Sequence, residues 1–210
     1  MIHILPFLLA STAASTGSLD YYTATSFTLE PPAQAQEEQP EETEAVIIEA
    51  SPMTWGTKNT WRWNIQGAWA KDVKRSDNTL VTYGVEFDYF LEDNLSLDLG
   101  FLGMDVDQQG PNANGFNFTL QLRWHFISKD RWSMFLEGGA GLLRTSENVP
   151  AGGSKFNFTP QAGLGFTFDI GNNNRLLAGV KWHHISNANT YDTNPGRDSI
   201  MVWGGISFPF

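Results

Sequence analysis

The 210-residue sequence contains no cysteine. A disulfide scaffold and a thiolate metal site are therefore excluded. No run of about 20 apolar residues occurs, so a membrane-spanning helix is excluded as well. Lysine and arginine are missing from the first fifty residues, which carry eight acidic groups. From residue 51 onward fifteen acids face thirteen bases, so most of the formal charge of −10 belongs to the N-terminal stretch. A chain of this balance offers no basic face for nucleic acid, and no nucleic-acid partner is expected.

What is present divides the chain in three. Residues 1–15 hold a short apolar run, Ile4 to Ala10, followed by small residues. That pattern reads as a signal peptide. Residues 16–54 include a Glu/Pro/Gln-rich stretch without aromatics from Glu30 to Glu49. It buries too little apolar area to offset the ordering of its backbone, and residues 16–54 read as an acidic disordered linker. Residues 55–210 are different, being nearly neutral and rich in aromatics.

From Trp61 the sequence alternates apolar and polar residues with period two, in eight runs. The first is Trp61, Trp63, Ile65, Gly67 and Trp69 against Arg62, Asn64, Gln66 and Ala68. The fourth is Phe116, Phe118, Leu120, Leu122, Trp124 and Phe126 against Asn117, Thr119, Gln121, Arg123 and His125. Runs of about 9–13 residues suit tilted strands crossing a bilayer. Long connections (Lys71–Asn78, Asp105–Gly115, Thr145–Lys155, Asn187–Arg197) alternate with short ones (Glu92–Asn94, Ser128–Arg131, Gly171–Asn174). These features predict an all-β fold, an eight-stranded antiparallel transmembrane β-barrel of the outer-membrane type. Its interior is expected to be filled by side chains. Arg62, Glu86, Asp88, Asp98, Arg123, Glu137, Asp169 and Lys181 share the inward parity. Mixed signs there allow the pairing that buried charges require. The Trp residues suit interfacial girdles, and the chain ends on an alternating Ile206, Phe208, Phe210.

Three polar residues fall on the outward parity: His184, Ser186 and Asp198. His184 and Ser186 are two residues apart on one strand, about 7 Å along a shared face. Asp198 opens the next strand, about 5 Å to the side. The group is expected near the extracellular edge, facing lipid. A serine needs a base to attack at neutral pH, and the base needs an acid to hold its tautomer. Ser186, His184 and Asp198 suit those roles in that order. Asn187 and Ala188, next in the chain, are candidate oxyanion donors from backbone or amide. His183 has the opposite parity and reads as interior packing. His183 and His184 point to opposite faces and make a poor ligand pair, so no metal site and no cofactor are expected.

The stretch His184-Ile185-Ser186-Asn187-Ala188, followed by Asn194-Pro195-Gly196 and a strand ending in Phe, resembles the lipid A 3-O-deacylase (PagL) and acyloxyacyl hydrolase family. The resemblance implies a carboxylic ester hydrolase of the Gram-negative outer membrane, with lipid A or lipopolysaccharide as substrate. It implies Ser186 as nucleophile, His184 as base and Asn187 at the oxyanion. The acid of that family is usually Glu, about twelve residues past the serine. Asp198 stands at that place here, one methylene shorter, with Asp192 as the other candidate. Lys71, Lys74, Arg75 and Arg197 are candidate contacts for lipid phosphates. Two other readings remain at this point: a non-catalytic structural or adhesive barrel, and an esterase acting on phospholipid.

Overall fold

The computed structural model describes residues 55–75 and 77–210. The signal peptide and acidic linker expected from the sequence lie outside the described residues. Nine strands form among those described: β1 (Trp61–Asp72), β2 (Thr79–Glu92), β3 (Leu95–Asp107), β4 (Ala113–Ser128), β5 (Trp132–Val149), β6 (Ser154–Phe158), β7 (Gln161–Gly171), β8 (Asn174–Ile185) and β9 (Arg197–Pro209). Every pairing between them is antiparallel, and β1 pairs with both β2 and β9, which closes the sheet into a ring.

The sixth expected run is split. Pro160 has no N–H to give a ladder, and β6 ends and β7 begins on either side of it. β7 pairs with the first half of β5, and β6 pairs with the second. Thr159 still exchanges both backbone hydrogen bonds with Gly141, so the wall continues across the break. The barrel thus keeps eight wall positions, one of them interrupted.

Two expected loops are shorter than the hydropathy pattern predicts. Asp105–Gly115 shrinks to residues 108–112, and Thr145–Lys155 to residues 150–153. Outward polar residues past the apolar band still join the ladder, as in Asp105 opposite Asn114 and Arg144 opposite Phe116. The alternation marks where the bilayer stops. It does not mark where backbone pairing stops.

Parity decides the two faces. Ile65, Leu120, Leu142, Val180 and Val202 point outward and are exposed. Arg62, Glu86, Asp88, Asp98, Arg123, Glu137, Lys181 and His183 point inward and are buried, and Asp169 is half-buried at the turn end. Arg123 is the hub of the interior. Its guanidinium lies 2.8 Å from Glu86, 3.2 Å from Asp98 and Glu137, and 3.7 Å from Asp88. Lys181 adds a 3.0 Å pair with Glu137. Glu86, Asp88 and Asp98 bring carboxylate oxygens within 4.8 Å of one another, and Arg123 supplies the positive charge they need.

The interior is not polar throughout. Toward the loop end, Ala70, Leu80, Met104, Val106, Ala113, Leu143, Val149, Ile185 and Met201 form an apolar cluster inside the barrel. Between the charged and apolar layers, a cavity beside Gln66, Thr82, Gln121 and His183 holds only about 10 Å³. That is room for one water at most, so the barrel has no lumen for a substrate. At the turn end, Trp63 stacks on Phe208 at 4.6 Å, and Trp61 packs against Tyr89 and Phe210. The C-terminal aromatics are thereby tied to the first strand.

Candidate active site

The site sits where β8 ends and β9 begins, at the loop end. Alternation along β8 puts Trp182 and His184 on the outer wall, with His183 and Ile185 inside. Strand register places Asp198 directly across from His184. The His184 Nδ1 lies 2.7 Å from Asp198 Oδ1. A carboxylate can only accept, so Nδ1 carries the proton and the Nε2 lone pair faces away from the acid. The aspartate reaches the imidazole although it is a methylene shorter than glutamate. Asp192 is exposed in the following loop and forms no hydrogen bond or ion pair among the described residues.

Asp198 has two further partners. Trp182 Nε1 donates to the same Oδ1 at 3.1 Å, and Lys74 Nζ lies 3.3 Å from Oδ2. The loop that carries Lys74 is fastened here, since Val73 N donates to the Asp198 carbonyl at 2.9 Å. Parity along β8 was the signal that could have found Trp182, because it shares the face of His184.

Ser186 follows β8 and extends the wall by a single bridge to Phe158. Phe158 N donates to Ser186 O at 2.7 Å, and Ser186 N donates to Phe158 O at 3.1 Å. The serine is half-buried, and its Oγ forms no hydrogen bond among the described residues. The chain then turns sharply, with Ala188 and Asn189 in left-handed conformation at φ 51° and 60°. Asn187, inward by parity, is buried. Its Nδ2 donates to Thr193 O at 2.8 Å and to Ser154 Oγ at 3.2 Å, and its backbone N donates to Asn194 Oδ1 at 3.1 Å. Those donors therefore hold the loop. Ala188 is exposed, and its N–H carries no partner among the described residues.

Gly196 closes the loop at φ 60°. A β-carbon there would lie 3.3 Å from His184 Cε1, so the glycine backbone can lie beside the imidazole.

Residues 48–207 match the model of the family described as lipid A 3-O-deacylase (PagL). The chain belongs to this family. It is a carboxylic ester hydrolase of the Gram-negative outer membrane. The crystal structure of the outer membrane enzyme PagL superimposes with a TM-score of 0.59 at 20% identity, over 70% of this chain and 99% of that one. Neisserial surface protein A (NspA) gives 0.55 at 16% identity, over 71% and 96%. The outer membrane protein OprG from Pseudomonas aeruginosa gives 0.50 at 12% identity, over 75% and 99%. At such identities these neighbours show the barrel fold alone. No curated protein matches the sequence.

The basic residues around this candidate site of the PagL-family chain separate into two groups. Lys71, Lys74 and Arg75 are exposed beside it. Arg197 is not available to lipid phosphates, contrary to expectation. Asp198 faces out, so its neighbour Arg197 faces in, where it is buried beside Ser199 and Asp72.

Proposed function

We propose that this chain cleaves an ester-linked acyl chain from lipid A at a serine–histidine–aspartate site on its lipid-facing wall. The observation that carries the reading is the 2.7 Å His184–Asp198 contact on the outside of a filled barrel, with Ser186 two residues further along the same face. The loop end faces the exterior, as in outer-membrane barrels generally. A substrate that is itself an outer-leaflet lipid reaches such a wall by lateral motion. No internal pocket is needed.

In this reading Ser186 Oγ attacks the ester carbonyl carbon while His184 Nε2 takes the hydroxyl proton. Asp198 holds the imidazole in the required tautomer and balances its positive charge. The oxyanion meets the Ala188 N–H, the donor that the loop leaves open, while Asn187 keeps that loop in shape. The bond from the carbonyl carbon to the sugar oxygen then breaks, and the departing oxygen receives the proton from His184. Water, deprotonated by His184, attacks the acyl-serine. The fatty acid leaves and Oγ regains its proton. The family description points to the acyl chain at the 3-position. Lys71 and Arg75 are exposed and serve as contacts for the lipid phosphates.

Mass spectrometry of lipid A from cells expressing the wild type or Ser186→Ala tests the proposal. The wild type is expected to yield lipid A lacking one acyl group, and Ser186→Ala the intact form. Shortened lipid A from the variant overturns it.

A further inference from the structure

We propose that Trp182 is a positioning residue for the acid of this site, acting through Asp198. The inference rests on the reading of Ser186, His184 and Asp198 given above.

A carboxylate on a short side chain rotates readily, because its terminal torsion is broad and nearly two-fold. Apart from the half-turn that exchanges its two equivalent oxygens, only one orientation gives His184 Nδ1 its 2.7 Å partner. The indole N–H of Trp182, two residues before His184 on β8, donates to the same oxygen at 3.1 Å. Oδ1 thus receives two donors at once, and Lys74 takes Oδ2. The ring of Trp182 also stacks on the imidazole, with centroids 5.6 Å apart and planes inclined by 23°. One side chain therefore restrains both members of the pair.

A tryptophan at the rim of a membrane barrel has an ordinary explanation, since indoles favour the interface. Trp69 on β1 is the internal comparison. It points outward, is 48% exposed against 42% for Trp182, and its indole N–H meets no described acceptor. Interfacial preference accounts for Trp69 fully. It does not account for an indole N–H aimed at the acid of the site. The Trp182 indole N–H shares its acceptor with His184. The aspartate side chain is short and has few geometries that reach the ring, so holding the productive one matters.

The test is steady-state hydrolysis of lipid A in mixed detergent micelles by full-length protein. Rates are expressed per folded barrel, counted by heat-modifiable gel mobility. Trp182→Phe keeps a ring against His184 and removes the donor. It is expected to lower kcat about tenfold with KM within about twofold of wild type. Trp182→Leu, which loses ring and donor together, is expected to fall further, and Trp69→Phe to match the wild type. Ser186→Ala runs in the same assay. Full activity in Ser186→Ala overturns the underlying reading of the site. An inactive Ser186→Ala, with Trp182→Phe matching Trp69→Phe or changing KM alone, overturns the role of Trp182 and leaves the site standing.

Discussion

Two residues differing only in position test the choice of acid. Asp198 meets His184 at 2.7 Å, whereas Asp192 is exposed and unpaired among the described residues. Asp198→Asn presents an amide in place of an acceptor-only group, which favours the wrong imidazole tautomer. Its turnover of lipid A is expected to drop by at least about a hundredfold, with the barrel still folded, because the change lies on the outer wall. Asp192→Asn is expected to behave as wild type in the same assay. Residue identity alone could not separate these two acids, since both follow the His-x-Ser stretch closely. Strand register separates them: only Asp198 is in the ladder opposite His184. The inward turn of Asn187 and Arg197 was legible in the sequence, because each adjoins an outward residue and parity alone sends its side chain inside. Two of their partners were not legible, because Ser154 and Asp72 come from distant stretches of chain, whereas Thr193 and Ser199 lie close in sequence.

Among the elements, the loop of residues 186–196 does the most to shape the site. Its two ends are Ser186, two residues past His184, and Gly196, which lies beside the imidazole. Gly196→Ala is expected to fold into the membrane normally and to lose about tenfold in kcat. The added methyl forces a left-handed φ of 60° on an L side chain and presses a carbon to within 3.3 Å of the imidazole. Normal turnover in that variant would show that the backbone has room to give. The strands themselves were readable from period-two alternation, and the runs lead to the observed faces. Their lengths were less readable. β3, β4 and β5 continue past the apolar band because polar residues pair as well as apolar ones once water surrounds them. The division at Pro160 has a visible cause in the sequence. Its use does not: the Pro160 carbonyl accepts the His184 N–H at 2.9 Å and ties the broken wall to the site.

At the scale of the whole molecule, the buried charge network and the proposed site occupy opposite faces of one sheet. Arg123 holds four carboxylates together inside. Arg123→Met leaves those charges with Lys181 as their nearest cation and is expected to destabilise the barrel by about 3–5 kcal/mol. The check is a urea unfolding series in lipid, paired with hydrolysis per folded barrel, which is expected to stay at the wild-type level. The apolar cluster under the loops and the cavity of about 10 Å³ shut the interior to traffic, so every encounter with lipid takes place on the wall. This placement changes what concentration means for the enzyme. A wall-mounted site samples a two-dimensional sea, in which the controlling quantity is the mole fraction of substrate among neighbouring lipids. Adding more of the same membrane leaves the turnover of each barrel unchanged. Diluting the leaflet with inert lipid slows it, even when the total amount of substrate in the vessel is constant.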